Sequence, residues 1–340
     1  MRLINDDAKC FVRACLAWIA PLKAFMSSSR RDRLVAESLS LLYIGLIAAI
    51  SVIAAFPYLL FPELGALCHD VLTRPGGKWA SQPWRLIATP TLTGAIGTLL
   101  SRHAPYSYLT VLIDVALSML VIAILRSAIA PAMSASALPI VLGLKSWLYP
   151  PSILAGLIIL AVTLTIYRRY CGARYSPSVN GSATDIDDVL DSTPRGRYWV
   201  LAFLAFVAAT GLVAQFSGLR FILFPPLITI AYEMFGHPET CPWLKNPVWF
   251  PVCCFLTALG GLISFKIFGL GALGAVCAMG VGVLLLRVFD VHMPPALAVA
   301  LLPFVMTSPD MRYPASVGIG TLVLTGFFLM YQRGRGSLAF

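Results

Sequence analysis

The chain has 340 residues, 59% of them hydrophobic and 12% charged, with a formal net charge of +10. A soluble domain carries about a quarter charged residues, so this composition excludes a water-soluble protein and makes lipid the solvent for much of the surface. Where the basic residues fall along the chain matters more than their sum, and nucleic acid is not expected as a partner.

Residues 1–40 hold Arg2, Lys9, Arg13, Lys23, Arg30, Arg31 and Arg33. Within this basic N-terminal segment, Lys9 to Met26 sets Phe11, Leu16, Trp18, Ile19 and Leu22 among charged residues. That is the pattern of a helix lying in the membrane surface, interrupted by Pro21. Leu41 to Phe61 has no charged residue up to its end and is long enough to cross a hydrocarbon core of about 30 Å. It opens a first membrane unit over residues 41–169, which closes with the apolar run Ser152 to Tyr167. Residues 170–197 form a polar linker with Arg174, Arg195 and Arg197, preceded by Arg168 and Arg169. Its acids, Asp185, Asp187, Asp188 and Asp191, lack the closing Glu of a calcium-binding loop. A second unit over residues 198–333 carries the long apolar pieces Trp199–Leu219, Pro247–Phe265, Leu270–Val288 and Pro314–Tyr331. A short tail over 334–340 follows, with Arg333 and Arg335 around the junction.

Lys and Arg collect on the cytoplasmic flanks of membrane helices. The N-terminal segment, linker and tail therefore read as cytoplasmic, as in a protein of a bacterial inner membrane. Each unit then crosses an even number of times. Cys10, Cys15, Cys68, Cys171, Cys241, Cys253, Cys254 and Cys277 form no CxxC pair and read as small hydrophobes; no cofactor or metal is expected.

The two units are copies. Shifting the sequence by 163 or 164 positions lays Phe61-Pro62-x-Leu64 on Phe224-Pro225-x-Leu227. Pro75 then meets Pro238, Trp79 meets Trp243, and Pro83 meets Pro247. Leu138-Pro139 meets Leu302-Pro303, Tyr149-Pro150 meets Tyr313-Pro314, and Tyr167 meets Tyr331. Apolar matches are common by chance in a membrane protein; matches at Pro, Trp and Tyr in order are not. With an even number of crossings each, the copies are parallel, related by an axis along the membrane normal.

Between the long pieces lie two shorter ones, Pro225 to Tyr232 and Pro294 to Leu301, each opened by a Pro-Pro pair. Proline suits the first turn of a helix and disrupts its interior. Each short element spans only about 12 residues, or about 18 Å as a helix, too little to cross. They read as re-entrant or broken half-helices, with Pro131 and Ser134 marking the counterpart in the first copy. Paired broken helices point to a transporter's binding site, and free N–H groups at their N-termini favour an anion. The predicted architecture is an all-α polytopic bundle, two tandem repeats of about four spanning helices plus these short elements.

Ionisable residues within the apolar body are expensive and usually partnered or functional. Asp290 and His292 precede Pro294 and Pro295, and the repeat counterpart of Asp290 is Arg126, so the two charges are candidates to pair across the axis. Glu233 and Asp70 share a repeat position beyond the first half-helix. Asp114, Lys266 and Arg287 are read as helix-end residues that snorkel. The candidate substrate site is thus Asp290, His292, Pro294, Pro295, Arg126, Pro131, Ser134, Pro225, Pro226, Thr229 and Glu233.

The stretch Phe224-Pro-Pro-Leu-Ile-Thr-Ile-Ala-Tyr-Glu-Met-Phe-Gly236, then Leu244-Lys-Asn-Pro247, the Gly-rich helix and His292-Met-Pro-Pro-Ala-Leu-Ala-Val-Ala-Leu301 resembles the HPP family of integral membrane proteins. The resemblance covers Tyr198 to Arg333 well and Leu41 to Arg169 more weakly, which makes this chain a tandem form. In this chain Met293 separates His292 from Pro294-Pro295, and the first copy has lost the His and one Pro. The expected function is a membrane transporter or channel for a small anionic solute, which the resemblance implies to be nitrite-like. The expected partners are therefore a small anionic solute, the lipid bilayer and, in an assembly, further copies of the chain. A non-transporting membrane module and an intramembrane enzyme are the alternatives. The enzyme is disfavoured because His69, His103, His237 and His292 show no ligand spacing.

Overall fold

A computed structural model describes residues 28–171, 198–239, 249–291 and 293–338. The expected surface helix at Lys9 to Met26, the linker 172–197 and His292 lie outside the described residues. The first copy comprises α1 (Ser28–Ile53), α2 (Glu63–Thr73), α3 (Lys78–Ser81), α4 (Pro83–His103), α5 (Tyr108–Leu125), α6 (Pro131–Leu142) and α7 (Tyr149–Cys171). The second comprises α8 (Tyr198–Ser217), α9 (Pro225–Gly236), α10 (Trp249–Phe268), α11 (Ala272–Val288), α12 (Pro295–Leu301) and α13 (Arg312–Leu338). The described residues contain no strand.

Four of these helices are short and start at proline. Pro131 and Pro225 are the first residues of α6 and α9, and Pro62 and Pro294 immediately precede α2 and α12, which itself opens on Pro295. The short helices are packed together at the centre. Ser134 on α6 bonds to Glu63 on α2, and Thr229 on α9 donates to Ala130 O beside α6 at 3.3 Å. A Cβ on Gly65 of α2 would lie 2.6 Å from Leu301 of α12. Almost every residue of the four is buried. The long helices ring this centre and turn Leu42, Ile53, Leu120, Ile124, Ile158, Leu201, Phe216 and Met330 outward. That inversion, with interrupted helices inside and uninterrupted apolar helices outside, is what a bilayer demands.

Six helices, α1, α5, α7, α8, α10 and α13, are long and apolar enough to span. The repeat assigns α4 and α11 to the two remaining long places. α4 is 21 residues long but rich in hydroxyls. Its Thr89, Thr93, Thr98 and Ser101 are buried against protein rather than lipid.

Pairs of contacts recur at the repeat offset. Tyr149 Oη donates to Ala135 O at 2.7 Å, and Tyr313 Oη to Val299 O at 2.6 Å. Tyr58 meets Tyr149 edge-on at 6.0 Å, and Phe221 meets Tyr313 edge-on at 5.5 Å. Arg168 Nε donates to Pro75 O at 2.9 Å, and Gln332 Nε2 to Pro238 O at 3.2 Å. Arg126 and Asp290, also counterparts, both have positive φ, 47° and 50°.

The direction of each copy follows from further contacts. Tyr43 on α1 donates to Gly156 O on α7 at 2.7 Å, and Arg102 at the end of α4 donates to Lys145 O just before α7 at 2.7 Å. Thus α1 and α4 both start at the face where α7 ends, here called the near face. α5 returns from the far face. α8 runs antiparallel to α5, because Gln215 near the end of α8 accepts from Tyr108 N at the start of α5, at 2.9 Å. Therefore α8 also starts at the near face, and the copies are parallel. The short helices differ in one respect from the expectation. Each completes a return pass, with its helix covering part of the depth and irregular chain covering the rest. The number of passes per copy stays even.

The copies are interleaved. α1 packs on α11 of the other copy, with Val276 against Gly45. There the buried Glu37 binds Arg287 and also accepts from Arg33 Nε at 3.3 Å. Reciprocally, α8 packs on α5.

The closest helix approaches also repeat. A Cβ on Gly97 of α4 would lie 1.8 Å from Ser136 O of α6, and one on Gly261 of α10 would lie 2.1 Å from Ala300 O of α12. Both obstacles are backbone, so neither can rotate aside. Gly97→Ala and Gly261→Ala are each expected to destabilise the protein by about 3 kcal/mol or more. Gly280→Ala, with nothing within 4 Å of its added Cβ, is the neutral control. Thermal unfolding in detergent reads the difference.

Candidate functional site

α6 runs beside α4 in the same direction. Thr93 Oγ1 on α4 donates to Ala132 O at 2.7 Å, and Ser101 Oγ donates to Pro139 O at 3.0 Å. Thr93 is the eleventh residue of α4, about 15 Å from its start at a 1.5 Å rise, so α6 begins near mid-depth. The irregular chain leading into it is held by hydroxyls. Thr89 Oγ1 bonds to Ser127 Oγ at 2.9 Å, and Ser127 Oγ accepts from Ile129 N at 3.2 Å. Backbone that leaves a helix inside a membrane needs such partners.

Two carboxyls flank α6. Ser134 Oγ donates to Glu63 Oε1 on α2, and Ser136 Oγ donates to Asp114 Oδ1 on α5. Residues two apart on a helix point about 200° apart, so the carboxyls approach α6 from opposite sides. Tyr149 Oη, bound to the carbonyl of Ala135 between the two serines, lies within electrostatic reach of both. Glu63 is 1% exposed and Asp114 0% exposed. Each leaves its second oxygen buried without a partner, as does Ser118 Oγ, one turn after Asp114.

Other buried acids are engaged differently. Asp70 takes Arg74 Nε at 2.9 Å, and Glu37 takes Arg287 and Arg33. Glu233 also has a partner. No lysine or arginine is buried among the described residues. Glu63 opens α2, where the helix end favours negative charge by about 0.3–1 kcal/mol. A buried ion costs several kcal/mol, so that dipole is far too weak to hold an ionised Glu63. Two buried carboxyls with serine donors alone are costly as anions, and a proton or a cation would neutralise them.

The second copy lacks this chemistry. The counterparts of Glu63, Asp114, Ser118, Ser134 and Ser136 are Pro226, Ala278, Gly282, Ala298 and Ala300. The two copies share a scaffold, and only the first carries the polar centre.

Several residues singled out in the sequence are enclosed with the short helices. Pro131, Ser134, Pro225, Pro226, Thr229, Glu233, Pro294 and Pro295 are all buried. Ser134 binds Glu63, and Thr229 braces the entry to α6. Glu233 lies within α9, and Asp70 within α2, rather than beyond the short helices. Arg126 and Asp290 are exposed, and no ion pair joins them among the described residues. Asp114 is no helix-end residue; it is the seventh of 18 residues in α5. The prolines also remove donors that an anion would use. Pro225 and Pro226 have no N–H, and Leu227 N is bound to Phe224 O at 2.9 Å. Ala296 N and Leu297 N are each bound at 3.0 Å within their own turn. Missed in the sequence were Glu63, Asp114, Ser118, Ser136 and Tyr149. The available signal was their replacement by apolar residues in the other copy, except for Tyr149, which is matched by Tyr313. No group of three or more His, Cys, Asp or Glu that could hold a metal is present among the described residues.

Arg126 and Asp290 occupy left-handed backbone, which suits glycine better than any other residue. Arg126→Gly and Asp290→Gly are expected to hold stability or raise it by up to about 1 kcal/mol. A fall in melting temperature for either variant would show that the side chain itself supports the structure. Comparison with protein-family models, with curated proteins and with solved structures returns no match for this chain.

Proposed function

We propose that this protein is a secondary transporter of a small solute, coupled to neutralisation of Glu63 and Asp114. The observation that carries this reading is the pair of buried carboxyls on opposite sides of one half-helix, each bonded to a serine and neither paired with a cationic side chain. Intramembrane acids of this kind serve as ion and proton relays, and broken helices near mid-depth are where transporters bind their cargo.

The coupling has a simple electrostatic form. With both carboxyls ionised, the centre repels an anion. Once they are neutralised, that repulsion is gone and the hydroxyls of Ser134 and Ser136 are free to turn toward a solute. An anion then enters only together with the neutralising cations. The resemblance to the HPP family supports nitrite, or an anion of similar size, as that solute.

Charge distribution supports the orientation. Among the described Lys and Arg residues, Arg102, Lys145, Arg220, Lys266 and Arg312 are those at far-face helix ends. The other described ones, among them Arg33, Arg74, Arg85, Arg168 and Arg287, lie at near-face ends. The near face is thus the cytoplasmic one.

The test is nitrite uptake into proteoliposomes under imposed inward proton or sodium gradients. The wild-type protein is expected to show uptake driven by one of these gradients. Glu63→Gln and Asp114→Asn are each expected to lower it about tenfold or more, equivalent to about 1.4 kcal/mol, with folding intact. Gradient-driven uptake that survives both substitutions would sink the assignment. If another small anion is moved instead of nitrite, the site reading stands and the solute changes.

A further inference from the structure

We infer that Asp114, Ser118 and Ser136 form a sodium site, which supplies the cation that neutralises Asp114. Its role in transport rests on the function proposed above; the binding itself does not.

One bonded pair and one further oxygen on the same helix face make up the candidate site. Asp114 and Ser118 are four residues apart, so they share one face of α5, the inward stripe of Val111, Asp114, Val115, Ser118 and Ile122. Ser136 reaches Asp114 from α6. The second copy places Ser118 relative to Ser136. There a Cβ on Gly282 would lie 3.7 Å from the Cβ of Ala300 and 3.6 Å from Thr257 Cγ2. Leu297 Cδ2 is nearer still, at 2.9 Å, so by the repeat Ser118 lies toward α6 and α4, on the side of Met133, Ser136 and Thr93.

Two of these oxygens, Asp114 Oδ2 and Ser118 Oγ, are buried and unpartnered. Ser118 has an ordinary alternative. Thr91, Thr98, Thr163 and Thr257 each donate to the carbonyl four residues back, at 2.7–2.8 Å. That is the usual resting state of a hydroxyl in a helix. Ser118 does not use it, and its oxygen stays available beside the carboxylate.

The donor set selects the ion. Carboxylate and hydroxyl oxygens suit a hard cation, while the want of a His, Cys, Asp or Glu cluster here argues against a transition metal. A single carboxylate balances one positive charge, so a divalent ion would leave a net charge in a buried site. Among the described residues Glu63 is hydrogen-bonded to Ser134 alone, which leaves it to a proton.

The experiment is thermal unfolding of the purified full chain in sodium, potassium or choline chloride at constant ionic strength. Sodium is expected to raise the melting temperature of the wild type in a saturable way beyond the other two salts. Glu63→Gln should keep that response, Ser118→Ala should weaken the apparent sodium affinity about tenfold, and Asp114→Asn should abolish it. Equal melting temperatures in all three salts would overturn the inference, as would a full sodium response in both Ser118→Ala and Asp114→Asn. Proton-driven uptake with no sodium response would remove this site and leave the proposed function standing. A sodium response without any solute uptake would do the reverse.

Discussion

Every peptide group inside a membrane must find its hydrogen-bond partner within the protein. Four helices of this chain are too short to cross alone, and each begins at or directly after a proline. They are therefore withdrawn from lipid and stacked on one another. The long helices must then close around them, which explains why buried glycines such as Gly97 and Gly261 bring backbones into contact. It also explains why α4 carries its hydroxyls inward, where Thr89 and Thr93 complete the bonding that α6 leaves open.

That central stack is also the place where polarity becomes affordable. Ser134 and Ser136 would be costly on a lipid-facing helix, and an unpaired carboxyl more so. Enclosed by protein, they hold Glu63 and Asp114 in fixed positions without an arginine to neutralise them. The same scaffold in the second copy is filled by Ala278, Gly282, Ala298 and Ala300. The fold thus does not need the polar groups, and their retention in one copy argues for a role beyond stability.

Much of the architecture was legible because prolines and aromatic residues have few interchangeable partners. Pro62, Pro225, Tyr149 and Tyr313 carry the repeat through the chain, and each marks a helix start or a cross-helix bond in three dimensions. The site was less legible. Looking for what the copies share leads to Arg126 and Asp290, whose kinship is one of backbone shape. What matters at the centre is what the copies do not share. Asp114 also sits among apolar residues whose pattern does not say which face turns inward. Only packing against α6 distinguishes a buried acid from one that reaches the headgroups.

The exchange of first helices between the copies, α1 onto α11 and α8 onto α5, has a historical reading. A single unit of this kind could not have covered its own α5 or α11 face, so its ancestor would have folded as a pair of chains, each lending its first helix to the other. Fusion made that pair permanent and equalised the supply of both halves. It also ended the need for two identical centres, leaving one free to drift toward alanine and glycine. The Glu37–Arg287 bridge, which has no counterpart at Val200 and Ala123, fits the same drift: an equal pair would carry such a bond twice, and this chain carries it once.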